Sequence, residues 1–233
     1  MERLDKMLSH TGKWSRKEVK SLLKAGRVLV DGKIPHGPEA KYPPGVEIAV
    51  DGEKFHWEKH TYLMLHKPAG VVSSTDDPRE KTVLELLPPH LRKAGLFPVG
   101  RLDKDTEGLL LLTDDGDLAH RLLAPGKHVD KVYYARTAAP VDQEDIAAFA
   151  SGITLQNGEV CLPAALTPVG GASACYVTLH EGKYHQVKRM LAARGKPVVY
   201  LKRLSMGNLC LPEDLDRGDW RPLTEQEKKS LNV

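Results

Sequence analysis

No run of about 18 consecutive apolar residues occurs in this 233-residue sequence, so it holds no candidate membrane-spanning helix. The first residues are charged (Glu2, Arg3, Asp5, Lys6), unlike a secretory signal. Cysteine is scarce. Cys161, Cys175 and Cys210 are odd in number and widely spaced, which fits neither a disulfide framework nor a zinc signature. Reduced, partly buried thiols in a cytoplasmic protein are expected instead. Histidines such as His180 and His185 have no partner at metal-ligand spacing, so no metal is expected. Internal repeats and low-complexity segments are also missing, which argues against repeat architectures.

What is present is ordinary globular material: 41% hydrophobic and 28% charged residues, enough to build a packed core. The length suits one large domain, or a small domain followed by a larger one. Net charge is only +3, but it is unevenly placed. Residues 1–33 hold nine Lys/Arg against four Asp/Glu, which leaves the other 200 residues at −2. Such clustering suits an electrostatic footprint for nucleic acid, although a merely solvated basic face has the same composition.

Ser15-Arg-Lys-Glu18 is a capping box and opens a helix that should end near Ala25, before Gly26. On its wheel Arg16, Lys20, Lys24 and Arg27 share one arc, and Val19, Leu22 and Leu23 another. Val28–Ile34 reads as two short strands around Asp31-Gly32, and Val46–Val50 as a further strand. The charged stretch Glu53–His60 is the expected linker, so the boundary falls between residues 58 and 61. Beyond it, strands are predicted at Tyr62–His66, Leu109–Thr113, Lys131–Thr137, Cys175–His180 and Val198–Arg203. Helices are predicted at Asp117–Leu123, Asp142–Ala150, Tyr184–Ala193 and Thr224–Leu231. These elements do not alternate regularly, so an α+β fold with a mixed, mainly antiparallel sheet is expected.

Two segments could carry chemistry. Gly100–Gly108 is the densest polar stretch and directly precedes an apolar strand, where a sheet can fix what a loop presents. In Glu181–Met190, His185, Lys188 and Arg189 fall on one side of a helix, with Val187, Met190 and Leu191 opposite. From the residues alone, both remain compatible with a solvated loop and a cationic surface helix. Asp103 with Asp105 or Glu107 could also imitate the two carboxylates of a glycoside hydrolase.

The run Gly-Arg-Leu-Asp-Lys-Asp-Thr-Glu-Gly-Leu-Leu-Leu-Leu-Thr-Asp-Asp-Gly at 100–116 resembles the catalytic signature of the RsuA/RluB branch of pseudouridine synthases. His66-Lys-Pro-Ala-Gly-Val-Val72, Lys131-Val-Tyr133 and Glu181–Met190 resemble that family's other motifs, in its order. Residues 3–52 resemble an S4 domain, a small RNA-binding module of αL type. The resemblance covers nearly the whole chain and implies an S4 domain over 1–58 and a catalytic domain over 61–233. Several ordered motifs are far more specific than one.

The implied reaction turns uridine into its C-glycoside isomer within ribosomal RNA and needs no cofactor. By motif position Asp103 is the carboxylate that attacks C1′ or removes a ribose proton. Lys188 is the basic residue expected beside it, since a nearby cation favours an ionised carboxylate. Tyr133 is the aromatic expected to stack on the uracil and to help remove the C5 proton. Arg101, Lys67, Gly70, Thr106, Gly108 and Gln186 would support the pocket. The target base must leave any stack to enter it. Phosphates would be held by Arg3, Lys6, Arg16, Lys17, Lys20, Lys24 and Arg27.

Ser74–Pro78 and Pro125–Tyr133 are more similar to family members acting on the small subunit. They imply 16S rRNA, or a small-subunit assembly intermediate, as partner; a monomer is the default expectation. Lys104 and Glu107 match the wider branch, which leaves large-subunit 23S rRNA as the alternative. A catalytically silent S4-containing assembly factor is the alternative of another class, and the joint presence of Asp103, Tyr133 and Lys188 argues against it.

Overall fold

The computed structural model describes residues 1–11, 13–92, 94–124, 126, 129–170 and 172–233. Pro125, Lys127 and His128, which carry part of the small-subunit resemblance, lie outside the described residues. The chain divides into two compact units, residues 1–61 with 87–96, and residues 62–86 with 97–233. A single boundary near residue 60 does not anticipate that 87–96 groups with the N-terminal part.

The first unit contains β1 (Glu2–Arg3), α1 (Leu4–His10), α2 (Arg16–Lys24), β2 (Val28–Val30), β3 (Lys41–Tyr42), β4 (Glu47–Val50) and β5 (Glu53–His56). The short helix α3 (Pro89–Arg92) also belongs to it. Both bonds of the capping box form: Ser15 Oγ accepts the Glu18 N–H at 3.3 Å, and the Glu18 carboxylate accepts the Ser15 N–H at 2.7 Å. At the other end Gly26 takes φ +67°. The N–H groups of Gly26 and Arg27 then reach back to the carbonyls of Leu23 and Leu22, both at 3.1 Å. Between these caps Val19 and Leu22 are buried against Leu4, Met7, Leu8, Val28 and Ile48. Their burial forces Arg16, Lys17, Lys20 and Lys24 outward.

Two expectations for this unit are corrected. Asp31-Gly32 does make a tight turn, with both residues at positive φ and Val30 bridged to Lys33. No second strand follows, because Pro35 has no N–H to continue a ladder; β2 pairs with β4 instead. The expected linker Glu53–His60 begins with a strand. Asp51-Gly52, again both at positive φ, turns β4 back into β5, and Trp57 is buried in the unit's core.

The second unit contains β6 (Tyr62–Lys67), β7 (Phe97–Pro98), β8 (Glu107–Thr113), α4 (Gly116–Leu123), β9 (Lys131–Thr137), α5 (Gln143–Ser151) and β10 (Ala165–Pro168). It continues with β11 (Ala174–Leu179), α6 (Gln186–Ala193), β12 (Val198–Met206), β13 (Leu209–Cys210), β14 (Trp220–Pro222) and α7 (Glu225–Ser230). One nine-stranded sheet results, in the order β10-β11-β9-β12-β8-β6-β14, with β13 on β12 and β7 on β8. Every pairing is antiparallel except β8 with β12. The fold is therefore α+β with a mixed, mainly antiparallel sheet.

Strand β8 is buried along its whole length, which its unbroken apolar run Leu109–Leu112 requires. Strand β9 alternates instead. Tyr133 is buried with Ala135, Val177 and Leu201, while Tyr134 meets Tyr176 and Tyr200 at centroid distances of 5.7 and 6.3 Å. Cys161 and Cys175 are buried and free; Cys210 is exposed rather than partly buried. Among the described residues no helix is long and apolar enough to cross a membrane.

The parallel contact between β8 and β12 depends on a missing side chain. Gly108 has φ +113°, and a Cβ there would lie 2.1 Å from the Arg203 carbonyl oxygen and 2.6 Å from the Arg203 nitrogen. Gly108→Ala should therefore cost about 2–5 kcal/mol, combining backbone strain with overpacking. Urea denaturation reads this directly, and an unshifted midpoint would show that the two strands can separate at no cost.

Candidate active site

The loop 100–106, which leads into β8, is fixed from inside the second unit by the last residue of β6. Lys67 is fully buried, and its Nζ donates to the carbonyl oxygens of Pro68 (3.1 Å), Asp103 (3.0 Å), Lys104 (3.3 Å) and Thr106 (2.8 Å). Gly70, at φ +90°, donates its N–H to the Lys104 carbonyl at 2.7 Å, and the Thr106 N–H closes on the Asp103 carbonyl at 3.0 Å. Ser73 adds a reciprocal pair with the main chain of Leu102, at 2.9 and 3.0 Å. Burial pushes the Lys67 ammonium down to about 8, against the opposing pull of Asp105, Asp103 and Glu107.

The loop so held presents Asp103 to the start of α6. Lys188 Nζ lies 2.9 Å from Asp103 Oδ2 and 2.6 Å from Asp105 Oδ1, so one cation bridges two carboxylates. Burial works against the charge on Lys188, but Asp105 and Asp103 outweigh it and hold its pKa above the ordinary lysine value. The Lys188 hydrogen bond in turn lowers that of Asp105. Spacing alone did not indicate that Asp105 shares this lysine.

Helix α6 begins at Gln186, two residues later than its wheel predicts, because His185 sits in the left-handed region at φ +48°. The turn before it is closed by Gln186, whose amide donates to Glu181 at 2.6 Å and accepts the Lys183 N–H at 2.9 Å. This backbone places His185 Nε2 at 3.3 Å from Asp103 Oδ1, with its ring stacked on the exposed Tyr184 at 3.8 Å between centroids. Arg189, expected beside His185 and Lys188, is diverted to Glu159 at 2.8 Å and Asn157 at 2.9 Å. Glu107 is also engaged elsewhere: Tyr200 donates to it at 2.7 Å, and Arg217 lies 3.1 Å away.

A cavity of about 120 Å³ beside Asp103 is lined by Arg101, Thr106, Tyr133, Gln186 and Arg203, among others. It shares much of its lining with a cleft of about 810 Å³ that also reaches Ser74, Asp77, Lys104 and Tyr184. Lys67, Gly70 and Gly108 are absent from the lining and act on the backbone behind it. Sequence reasoning missed Ser73, His185 as a neighbour of Asp103, and Arg203. It could have found Lys131, which stands two residues before Tyr133 on one strand and so shares its face. Among the described residues, no group of three or more His, Cys, Asp or Glu side chains could hold a metal ion.

In the first unit three of the seven expected phosphate ligands are tied to carboxylates. Arg3 binds Asp5 through two bonds of 3.1 and 2.9 Å, Lys6 binds Glu2, and Arg27 binds Asp51 through two bonds. Among the described residues Arg16, Lys17, Lys20 and Lys24 form no ion pair, and all four are exposed.

Comparison with known proteins points one way. The family model of RNA pseudouridylate synthase matches residues 61–193, and that of the S4 domain matches residues 2–34. An uncharacterised RNA pseudouridine synthase of Bacillus subtilis is 47% identical over 99% of this chain and 98% of its own. The ribosomal small subunit pseudouridine synthase A of Pseudomonas aeruginosa is 43% identical over 97% of this chain and 98% of its own. That of Escherichia coli is 40% identical over 98% and 99%. A crystal structure of a pseudouridylate synthase superimposes with a TM-score of 0.70 at 37% identity, covering 99% of this chain and 100% of that one.

Lys67 supplies a pH test of the buried clamp. Its folded pKa, about 8, lies below the ordinary lysine value of 10.5. The charged form therefore costs stability below about pH 8, and that cost fades as pH rises towards 10.5. Lys67→Met removes its hydrogen bonds to four carbonyls, of which those of Asp103 and Lys104 keep a main-chain N–H donor, so it should destabilise the protein. The wild-type advantage should grow by at most about 1.4 kcal/mol per pH unit between pH 8 and 10. Denaturant midpoints of both proteins at several pH values check this, and parallel profiles would refute it.

Proposed function

Because the chain belongs to the RNA pseudouridine synthase family, we propose that it isomerises a specific uridine of small-subunit 16S rRNA, with Asp103 as the reacting carboxylate. The observation that carries this reading is the geometry of Asp103, which faces the cavity with Lys188 at 2.9 Å and His185 at 3.3 Å. The small-subunit target is supported by 40–43% identity, over nearly whole chains, to relatives named for that subunit. Ser74 and Asp77, in the segment that resembles those relatives, line the cleft.

In this reading the flipped uridine enters the cleft, and its base lies against the Tyr133 ring. Asp103 attacks C1′ or takes a ribose proton, and the N1–C1′ bond breaks. The uracil turns, C5 joins C1′, and the C5 proton leaves with the help of the Tyr133 phenol. Lys188 holds Asp103 in place and balances its charge. Arg101 reaches the approaching RNA from the cavity rim, while Thr106 and Gln186 shape the wall. Lys67, Gly70 and Gly108 hold the loop and strand behind it. Arg16, Lys17, Lys20 and Lys24 grip phosphates, and Arg3, Lys6 and Arg27 can join them only by exchanging their carboxylate partners.

Modification of each purified rRNA, mapped by carbodiimide adducts and primer extension, tests the target. Pseudouridine in 23S rather than 16S rRNA would move the assignment to the large subunit. Asp103→Asn should abolish tritium release from C5-labelled RNA and leave affinity within a few-fold, because the amide is a poor nucleophile. Turnover beyond trace deamidation would remove Asp103 from this role. Lys188→Met should slow the reaction by orders of magnitude, with Lys188→Arg partly tolerated because charge is kept and geometry altered.

The exposed stripe of α2 has its own signature. Replacing Arg16, Lys20 and Lys24 together by Ala should weaken binding and flatten log K against log salt by about 0.7–0.9 per lost phosphate contact. The single-turnover rate at saturating RNA should stay near normal. Filter binding across a salt series reads the slope, and an unchanged slope would show that RNA is gripped elsewhere.

A further inference from the structure

The floor of the cavity beside Asp103 is one face of the sheet. Lys131 and Tyr133 stand two residues apart on β9, and Arg203 on β12 is the register partner of Tyr133. Residues paired across strands, and residues two apart on one strand, share a face, so all three side chains project to the same side. All three line the cavity. Arg203 is only 2% exposed and Lys131 only 7%.

Buried cations ordinarily have carboxylate partners. Among the described residues neither of these forms an ion pair. Arg203 Nε donates to the Leu109 carbonyl at 2.8 Å, and Lys131 Nζ to the Val129 carbonyl at 3.2 Å. Arg203 Nη2 is buried with no hydrogen-bond partner, and so is Thr106 Oγ1 in the same lining. Burial, and the Arg203 charge beside it, pull Lys131 below the ordinary lysine range. The fold has thus kept two positive charges and unspent donors at the floor of a cavity whose rim holds Asp103. Such a site is complementary to a planar ligand with carbonyl oxygens that becomes anionic.

We propose that Arg203, supported by Lys131, is a further catalytic group that donates to a uracil carbonyl oxygen and stabilises the uracil anion formed when the glycosidic bond breaks. This rests on the function proposed above. When N1–C1′ breaks, its electron pair stays with the base, and the charge spreads over N1, O2 and O4. Meanwhile either an Asp103 oxygen bonds to C1′, or a C2′ proton passes to Asp103 and a C1′–C2′ double bond forms. C5 then bonds to C1′ as Asp103 leaves or returns its proton. C5 loses its proton and N1 gains one, so nothing is oxidised or reduced. A donor fixed at the floor strengthens its interaction as the charge develops, which accelerates cleavage more than it tightens binding. It also keeps the detached base from escaping while it turns.

The test compares single-turnover rates on saturating RNA carrying uridine or 5-fluorouridine at the target, followed by nuclease digestion and mass spectrometry. Fluorine withdraws electrons from the base, so its anion depends less on protein donors. Arg203→Gln should slow the uridine substrate about 100-fold or more. It should slow the fluorinated substrate about tenfold less than that, with RNA affinity within about threefold of wild type. Arg203→Lys and Lys131→Gln, which keep one or more cations at the floor, should show the same selective loss to a smaller extent. Should Arg203→Gln fail to fold, judged by its circular-dichroism melt, these two variants decide by the same ratio. Equal slowing of both substrates would mark Arg203 as structural and overturn the proposal. An inactive wild type would instead sink the proposed function itself.

Discussion

A single buried ammonium organises the catalytic unit. Lys67 ends β6, between β8 and the edge strand β14, and spends its donors on four main-chain carbonyls, three of them in the loop that carries Asp103. Burying a charge without a carboxylate is costly, and the cost is met only while those carbonyls stay in place. The lysine and the loop therefore hold each other in one conformation. Because the partners are backbone atoms, the clamp constrains where the loop runs without dictating its side chains. Asp103, Lys104 and Asp105 remain free to turn outward, where Lys104 meets Glu80 and the two aspartates meet Lys188.

Charge is distributed in two tiers around that loop. At the rim the two carboxylates have partners: Asp103 and Asp105 share Lys188, and Asp103 also meets the His185 imidazole. At the floor, Lys131 and Arg203 have no anionic partner among the described residues. The cavity thus has paired carboxylates at its rim and unpaired cations at its floor. The exposed cations of α2 belong to the other unit, on a helix whose two caps set its length.

Much of this was legible in the sequence, for identifiable reasons. Capping boxes are local, so Ser15–Glu18, Asp142–Asp145 and Thr224–Glu227 each start a helix within a residue or two of its expected place. The mainly antiparallel sheet followed from strands and helices that do not alternate. Less local features were hidden. Strand β5 exists because β4 offers it a partner, and its own charged composition argues against a strand. The left-handed His185 could not be read from a wheel that assumes helical dihedrals throughout. Arg203 was overlooked because it ended the predicted strand Val198–Arg203, which in fact runs on to Met206, and a cation at a strand end reads as a residue whose tip reaches solvent. Only the ladders on either side of β12 reveal that it does not.

Strand β9 carries two tyrosines in succession, and the pleat sends them to opposite faces. Tyr133 reaches the cavity, while Tyr134 joins Tyr176 and Tyr200 behind it. Sliding β9 by one residue would exchange them, giving a sheet with a tyrosine in the pocket but with the wrong neighbours for every other side chain. Such a chain would keep its secondary structure and lose the lining of the cavity. The aromatic group on the far face guards against this, since it forms only in the register that also points Tyr133 at the cavity. Part of what sets the cavity's lining is thus built on the opposite face of the sheet.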